Sequence, residues 1–427
     1  MKSLIVGSGP AGIFAAETIR KRAAVHSITL VSQDSALAHS PVMLTYWIAG
    51  GRPQDTLFFR DSSWAEKNRV DVRLGCQAVG LHIGSKKLIL SDGEEISYDR
   101  ALIATGSSPI SLPIPGVEAN GVISLRNIDD AETILRGGPD LREAIIIGGG
   151  CIGLKLACHL RERGVGVAVL EKEPKLAPRM FDHAASLLIG NKLRKHGIRI
   201  ETDVEVTEFL NKNGWVTGVI MKDGEMYSCQ RVIQAVGIRP NAQYLADSGI
   251  DLQGGILVNE RMETNVPGVY AAGDVAMTID SITSERLNNA TWPAATRQGT
   301  VAGWNMAGGN RTSTHNFPLN ALNLFGLRVM AAGHPYYEKE SNVDIFMNQQ
   351  GESYRKIVIR AGRLMGFIFV GDISGAGFLL SLMKGRAEVS HDPLDLLNSR
   401  VSLQDNVLPN LGYRHGQLFT TRRQKYR

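Results

Sequence analysis

The spacing Gly-x-Gly-x-x-Gly occurs twice in this chain, each time after a short apolar strand and before a helical run. No other feature restricts the fold as much. The first copy lies in "SLIVGSGPAGIFAAETIRKRAAVHSITLVSQD": Leu4, Ile5 and Val6 form a buried strand, "GSGPAG" a turn, an apolar helix ends near "RKR", and "HSITLV" is a second strand. In such a βαβ unit Gly7 permits the tight turn, Gly9 lets the backbone approach a pyrophosphate, and Gly12 lets helix and strand pack closely. Ser8, Pro10 and Ala11 complete the turn, where helix N–H groups and the positive end of the helix dipole would face the anion. The second copy lies in "EAIIIGGGCIGLKLACHLRERGVGVAVLEKEP", where Gly148, Gly150 and Gly153 repeat the spacing and Gly149 and Ile152 lie between them. One such motif is weak evidence. Two, each in βαβ context, predict an α/β protein with two dinucleotide-binding lobes.

The second strand of a dinucleotide fold usually ends in an acidic residue that holds a ribose. In the second unit "VAVL" ends in Glu171, followed by Lys172 and no arginine, which favours NAD over NADP. In the first unit that place is Ser32, with Asp34 two residues later, so the ribose contact there departs from the pattern. The repetition continues beyond these strands. Runs of short strands and turns follow both units, closing at Ala104–Thr105–Gly106 and Ala235–Val236–Gly237, with "SDGE" and "KDGE" in corresponding places. An internal duplication accounts for this most simply. Then "METNVPGVYAAGDV" supplies a buried strand, "VYAA", with Gly273–Asp274 at its C-terminal end, the edge where open α/β sheets bind ligands. The same carboxylate could instead cap a helix.

A chain of 427 residues exceeds what one core usually serves, so two or three domains are expected. The net charge of +5 is too mild for a nucleic-acid binder, and the basic tail "TTRRQKYR" reads as a solvated end rather than a docking element. Cys76, Cys151, Cys158 and Cys229 form no C-x-x-C, so no zinc site, iron–sulfur ligand set or local redox disulfide is indicated. The histidines show no metal-ligand spacing, and no metal site is expected. No run of 18 apolar residues exists, and glycine and proline interrupt the apolar start. A cytoplasmic protein without a membrane partner is expected.

With "GSGPAG", "ATG", "GGGCIG", "AVGIRPN" and "TNVPGVYAAGDV" in this order, the chain resembles flavoproteins of the pyridine nucleotide–disulfide oxidoreductase superfamily over nearly its whole length. The resemblance implies two Rossmann-like domains, one for FAD and one for NAD, and a C-terminal α/β interface domain. The implied boundaries are 1–112 with 252–320 for FAD, 113–251 for NAD and 321–427 for the interface domain. Carried over, Gly7, Gly9 and Gly12 meet the FAD pyrophosphate, and Gly273 and Asp274 the ribityl and phosphate region. Thr105 and Gly106 close over FAD, with Gly237 in the matching "AVG" segment. Arg126 in "LRNIDDAETI" approaches FAD, "WPAATRQGTVAGWNMAG" lies beside the flavin, and the second turn with Glu171 binds NAD(H). "KIVIRAGRLMGFIFVGDISGAGFLLSLMKG" is read as two strands around "AGR" and an apolar helix of the interface domain.

Two departures from the family shape the expected function. "AHSPVMLTYWIAG" has Ser40, Pro41 and Met43 where many relatives place a redox cysteine beside the flavin, and Lys155 stands where relatives often have glutamate. Without a thiol relay, the implied activity is hydride exchange with NAD through FAD and single-electron exchange with an iron–sulfur protein partner. No side-chain acid or base is nominated as catalytic, because hydride transfer depends on positioning. The segment "SPVMLTYWIAGG" is similar to NAD-linked flavoprotein subunits of multisubunit 2-oxoacid oxidoreductases of the phenylglyoxylate dehydrogenase type, which implies a hetero-oligomeric complex. A free-standing rubredoxin or ferredoxin reductase is the alternative. A non-catalytic flavin-binding scaffold is a third reading, for which Lys155 and Ser32 leave room.

Overall fold

Short strands of aliphatic and β-branched residues, buried on both faces, need helices on either side, and both halves of the chain meet that need with parallel sheets. The computed structural model describes residues 1–50, 52–136, 141–336, 342–389 and 392–398, and the basic tail 420–427 lies outside them. By backbone contacts the chain divides into two compact units, Met1–Leu141 with Ile233–Asn316, and Arg142–Val232 with Phe317–Arg427.

In the first unit a five-stranded sheet runs in the order Val269–Ala271, Arg100–Ile103, Lys2–Val6, Ser27–Val31, Val70–Arg73, with every pair parallel. Val6 is level with Val31 and with Ile103, and Ile103 with Ala271, so the loops that leave these strands emerge along one edge. Chain order reverses between Lys2–Val6 and Arg100–Ile103, which makes the carboxyl edge there the place where such sheets take ligands. Behind the sheet, helix Pro10–Arg22 crosses helix Trp292–Met306 at very short range. The crossing depends on Gly299 and Gly303, since a methyl at either would run into the carbonyl oxygen of Ala11 or Ala15.

The second unit repeats the plan, with sheet neighbours Ile198–Thr202, Gly166–Glu171, Glu143–Ile147 and Arg231–Gln234, and helix Cys151–Glu162 packed on Gly166–Glu171. Its other part is a five-stranded antiparallel sheet in the order Leu319–Leu324, Leu327–Gly333, Arg363–Val370, Ser353–Arg360, Val343–Gln350. The hairpin around "AGR" and the following helix, Ala376–Gly385, are as expected. The duplication extends to hydrogen-bond detail. In "SDGE" the amide of Gly93 donates to Leu90 at 3.0 Å and that of Glu94 to the Asp92 carboxylate at 2.9 Å. In "KDGE" Gly224 donates to Met221 at 2.9 Å and Glu225 to Asp223 at 3.0 Å. Among the described residues, no helix is long and apolar enough to cross a membrane.

Candidate functional sites

Each unit carries one glycine turn at the carboxyl edge of its parallel sheet. In the first, Gly7 has φ +120°, a region closed to residues with a Cβ, and a methyl there would strike the Ala104 carbonyl oxygen. Gly9 follows as N-cap of helix Pro10–Arg22 with ordinary dihedrals, and an added Cβ would meet nothing within 4 Å. Pro10 fits the first helical position, whose amide needs no intrahelical partner. The turn therefore packs tightly behind Gly7 and leaves clear space before Gly9 and the first helical amides, a cradle suited to a pyrophosphate.

Ser32 ends the second strand, buried, and accepts a hydrogen bond from Ser8 Oγ at 2.9 Å and from the Asp34 amide at 3.2 Å. Glu171 makes the equivalent contact in the second unit. Its Oε2 accepts from the Gly149 amide at 2.7 Å and its Oε1 from the Glu173 amide at 2.8 Å. Both links tie the second residue of the glycine turn to the end of the second strand, by hydroxyl in one unit and carboxylate in the other. Each carboxylate oxygen keeps a lone pair for a ribose hydroxyl. Gly150, like Gly9, faces open space, and Gly148 has φ +103°. Ile152 is 51% exposed on the first turn of helix Cys151–Glu162, where Lys155 is half-buried. Lys172 turns away to Glu205, 2.6 Å distant and exposed.

Around the first turn, four loops meet. Asn241 binds the "ATG" segment to "GIRPN": Thr105 Oγ1 donates to the Asn241 carbonyl at 2.8 Å, Asn241 Nδ2 to the Thr105 carbonyl at 3.0 Å, and the Asn241 amide to the Gly106 carbonyl at 3.0 Å. Gly237, at φ +129°, accepts from the Ile110 amide at 3.0 Å. Asp274 caps no helix, because strand Ala276–Ile279 follows it and satisfies the backbone there. Its Oδ2 accepts from Ser107 Oγ at 2.9 Å and lies 3.6 Å from Arg126 Nη1. The Arg126 guanidinium stands before Gly106, 2.9 Å from where a Cβ would be. Pro41 opens helix Pro41–Ala49 with Ser40 as its N-cap.

Two polar residues at this site, Gln298 in "WPAATRQGTVAGWNMAG" and His39 in "AHSPVMLTYWIAG", were not singled out within their segments. Gln298 is 1% exposed; its Oε1 accepts from the Gly273 amide at 2.8 Å while its Nε2 has no protein partner. His39 is 8% exposed and its Nε2 is likewise without a partner. A polar residue within an otherwise apolar helical stripe was the available signal for Gln298; nothing local marks His39. Buried polar atoms are nearly always paired, so these two, with the cradle before Gly9, fit a polar ligand with the chemistry of FAD. Gly150 and Glu171 fit a second nucleotide in the same way.

Three of the four thiols are held protonated. Burial pushes Cys151 up to about 11, and Cys158 and Cys229 each up to about 12. At pH 8 about one in a thousand or fewer of these thiols is ionised. A thiol-reactive chromophore added to the folded protein should therefore titrate these three only after denaturant is present, leaving half-buried Cys76 to react first. Rapid reaction of more than one thiol in the native protein would contradict this.

Comparison with known proteins agrees with this layout. The family described as pyridine nucleotide-disulphide oxidoreductase matches residues 1–299, and the rubredoxin NAD+ reductase C-terminal domain matches residues 318–387. The NADH-dependent phenylglyoxylate dehydrogenase subunit epsilon of Aromatoleum evansii is 30% identical over 91% of this chain and 93% of its own. The NADH-rubredoxin oxidoreductase of Clostridium acetobutylicum is 29% identical over 87% of this chain and 92% of its own. The crystal structure of NADH:rubredoxin oxidoreductase from Clostridium acetobutylicum superposes with a TM-score of 0.77 at 27% identity, covering 94% of this chain and 99% of that one.

Proposed function

The chain belongs to the pyridine nucleotide-disulphide oxidoreductase family, and from that premise we propose that it passes electrons between NAD(H) and an iron–sulfur protein as the electron-transfer subunit of a multisubunit dehydrogenase. It is an FAD-dependent NAD oxidoreductase. Bound FAD supplies the ability to exchange a hydride on one side and single electrons on the other. The observation that carries the partner reading is the segment opening helix Pro41–Ala49, which has Ser40, Pro41 and Met43 and no cysteine. Burial holds Cys151, Cys158 and Cys229 protonated, which speaks against a route for electrons through these sulfurs.

The residues act by binding and orientation. Gly7, Ser8, Gly9, Pro10, Ala11 and Gly12 hold the FAD pyrophosphate against the helix N-terminus, while Ser32 and Asp34 take its ribose. Thr105, Gly106, Arg126, Gly237, Gly273 and Asp274 hold the remainder, with Pro41 beside the flavin. Gly148, Gly149, Gly150, Ile152, Gly153, Glu171 and Lys172 hold NAD(H). We assign residues 1–112 and 252–320 to FAD, 113–251 to NAD and 321–427 to a partner-facing interface.

Similarity to the phenylglyoxylate dehydrogenase subunit along nearly the full length of both chains supports the subunit reading. The match of residues 318–387 to the rubredoxin reductase C-terminal domain supports a free-standing reductase as the second reading. Anaerobic titration of the purified chain with NADH should bleach the flavin band at stoichiometric levels, and NADPH should do so poorly. Oxidised ferredoxin or rubredoxin should then restore the band. Flavin that NADH cannot reduce would end both readings and leave the scaffold. Co-purification from native cells with iron–sulfur subunits in fixed proportion favours the subunit; recovery of the chain alone, with fast rubredoxin reduction, favours the free-standing enzyme.

A further inference from the structure

His39 belongs to no motif, yet its surroundings are built with care. The backbone around it is fixed to a second segment: the Ser40 amide donates to Leu57 at 2.7 Å, the Phe59 amide to Ala38 at 3.0 Å, and His39 and Phe58 form an antiparallel bridge. Ala38, fully buried, holds the left-handed φ of 56°, a conformation an alanine keeps only where its surroundings impose it. The ring faces the Arg126 backbone, and its buried Nε2 has no protein partner; a proton on Nδ1, toward that backbone, leaves Nε2 as the acceptor. The charges facing the ring are Asp34 and Arg126. Arg126 in turn lies 3.6 Å from Asp274 and stands before Gly106. Loops from the ends of three parallel strands thus converge with the Arg126 segment on one imidazole.

This arrangement selects the chemistry of what His39 can bind. Burial lowers the affinity of the ring for a second proton; Asp34 opposes it, the Arg126 cation adds a smaller lowering, and the Arg126 backbone opposes it slightly. With Nδ1 carrying its proton, neutral Nε2 is an acceptor. The diester phosphates of a dinucleotide have no proton to give at neutral pH. A hydroxyl suits the position.

We propose that His39 accepts a hydrogen bond at Nε2 from a hydroxyl of the ribityl chain of FAD, an inference resting on the reading of this unit as the FAD site. The adenosine ribose also offers hydroxyls, at the end of the second strand beside Ser32; Asp34 faces the ring from that side and Arg126, the partner of Asp274, also faces it, so the ADP arm of the test separates the two sources.

The test uses the full chain freed of flavin, as wild type, His39→Leu and His39→Gln. Dissociation constants are measured for FAD, for an FAD analogue whose ribityl hydroxyls are replaced by hydrogens, and for ADP, with thermal unfolding of each apoprotein. His39→Leu should weaken FAD about tenfold, as loss of one hydrogen bond to a buried acceptor would. ADP binding should be unchanged, and the apoprotein midpoint measures separately what the loss of the ring's contact with the Arg126 backbone costs the fold. His39→Gln should recover part of the loss. Removing the hydroxyls should cost His39→Leu about tenfold less than it costs wild type. Additive losses from variant and analogue, or unchanged FAD affinity in His39→Leu, overturn the proposal. Parallel losses of FAD and ADP with a lower midpoint overturn it too, since the ring would then only hold its loop. Wild-type apoprotein that fails to bind FAD would overturn the underlying FAD reading, and the role of His39 with it.

Discussion

Gly9→Ala is expected to yield a folded apoprotein that has lost FAD, and Gly150→Ala a flavin-loaded protein that no longer binds NADH. In both turns the substituted glycine has dihedrals open to any residue, φ −73° and ψ −176° at Gly9, φ −77° and ψ 179° at Gly150. An added Cβ meets no protein atom within 4 Å in either case. The apoprotein should then unfold within about 0.5 kcal/mol of wild type, the range for substitutions that touch nothing. A pyrophosphate resting on the helix amides would meet the methyl. Amide bonds to a charged oxygen contribute about 1.5–3 kcal/mol each, so displacing the anion from one or two should raise the dissociation constant roughly a hundredfold or more. Gly7→Ala should behave differently. Its φ of +120° strains any Cβ and the methyl strikes Ala104, so strain of about 1–3 kcal/mol joins overpacking of about 1–3 kcal/mol in destabilising the fold itself. Calorimetric titration and denaturant unfolding separate the two outcomes. Normal FAD binding by Gly9→Ala would place the pyrophosphate elsewhere, and loss of flavin from Gly150→Ala would reverse the assignment of the lobes.

Why the turns were readable from sequence while other parts of the site were not follows from the range of the forces involved. A glycine turn is decided within a few residues: a Cβ on Gly12 would strike the Gly7 carbonyl, and one on Gly153 the Gly148 carbonyl, so spacing alone carries the information. The "AGR" hairpin is similarly local, and the strand ending at Ala271 could be read from its apolar run. The order of the C-terminal sheet, with Leu327–Gly333 beside Arg363–Val370, depends on pairings far apart in sequence and was not visible. The helix-cap role for Asp274 failed because nothing within the motif says that a strand follows. His39 and Gln298 matter through partners that only the fold supplies, Arg126 and Gly273. By residue type alone each would be placed on the surface. Lys356, in the apolar run "KIVIR", shows the same limit, since it reads as an exposed strand position and is fully buried.

That buried lysine leads to the second large effect, a loss of stability in Asp182→Ala well above that in Lys356→Met. Asp182 is the N-cap of helix His183–Lys195, and its Oδ1 accepts from the Ala185 amide at 3.0 Å. Its Oδ2 accepts from Tyr354 Oη at 2.6 Å and from Lys356 Nζ at 3.1 Å, which ties that helix to the interior strand Ser353–Arg360. Removing the carboxylate takes away a cap worth about 1 kcal/mol and one acceptor of an ammonium that is 0% exposed. Breaking one side of a buried pair costs about 3–5 kcal/mol. Lys356→Met keeps the volume and apolar stem, and the remaining carboxylate is still held by Tyr354, the Ala185 amide and the positive end of the helix dipole. Its cost should be about 1–3 kcal/mol. The double variant should lose less than the sum of the two, because both single variants remove the same Asp182–Lys356 interaction. Guanidinium unfolding of the four proteins, with slopes compared to exclude a change in the denatured state, measures this. Additive losses would show that Asp182 acts as a helix cap only and that the ammonium is neutralised by other means.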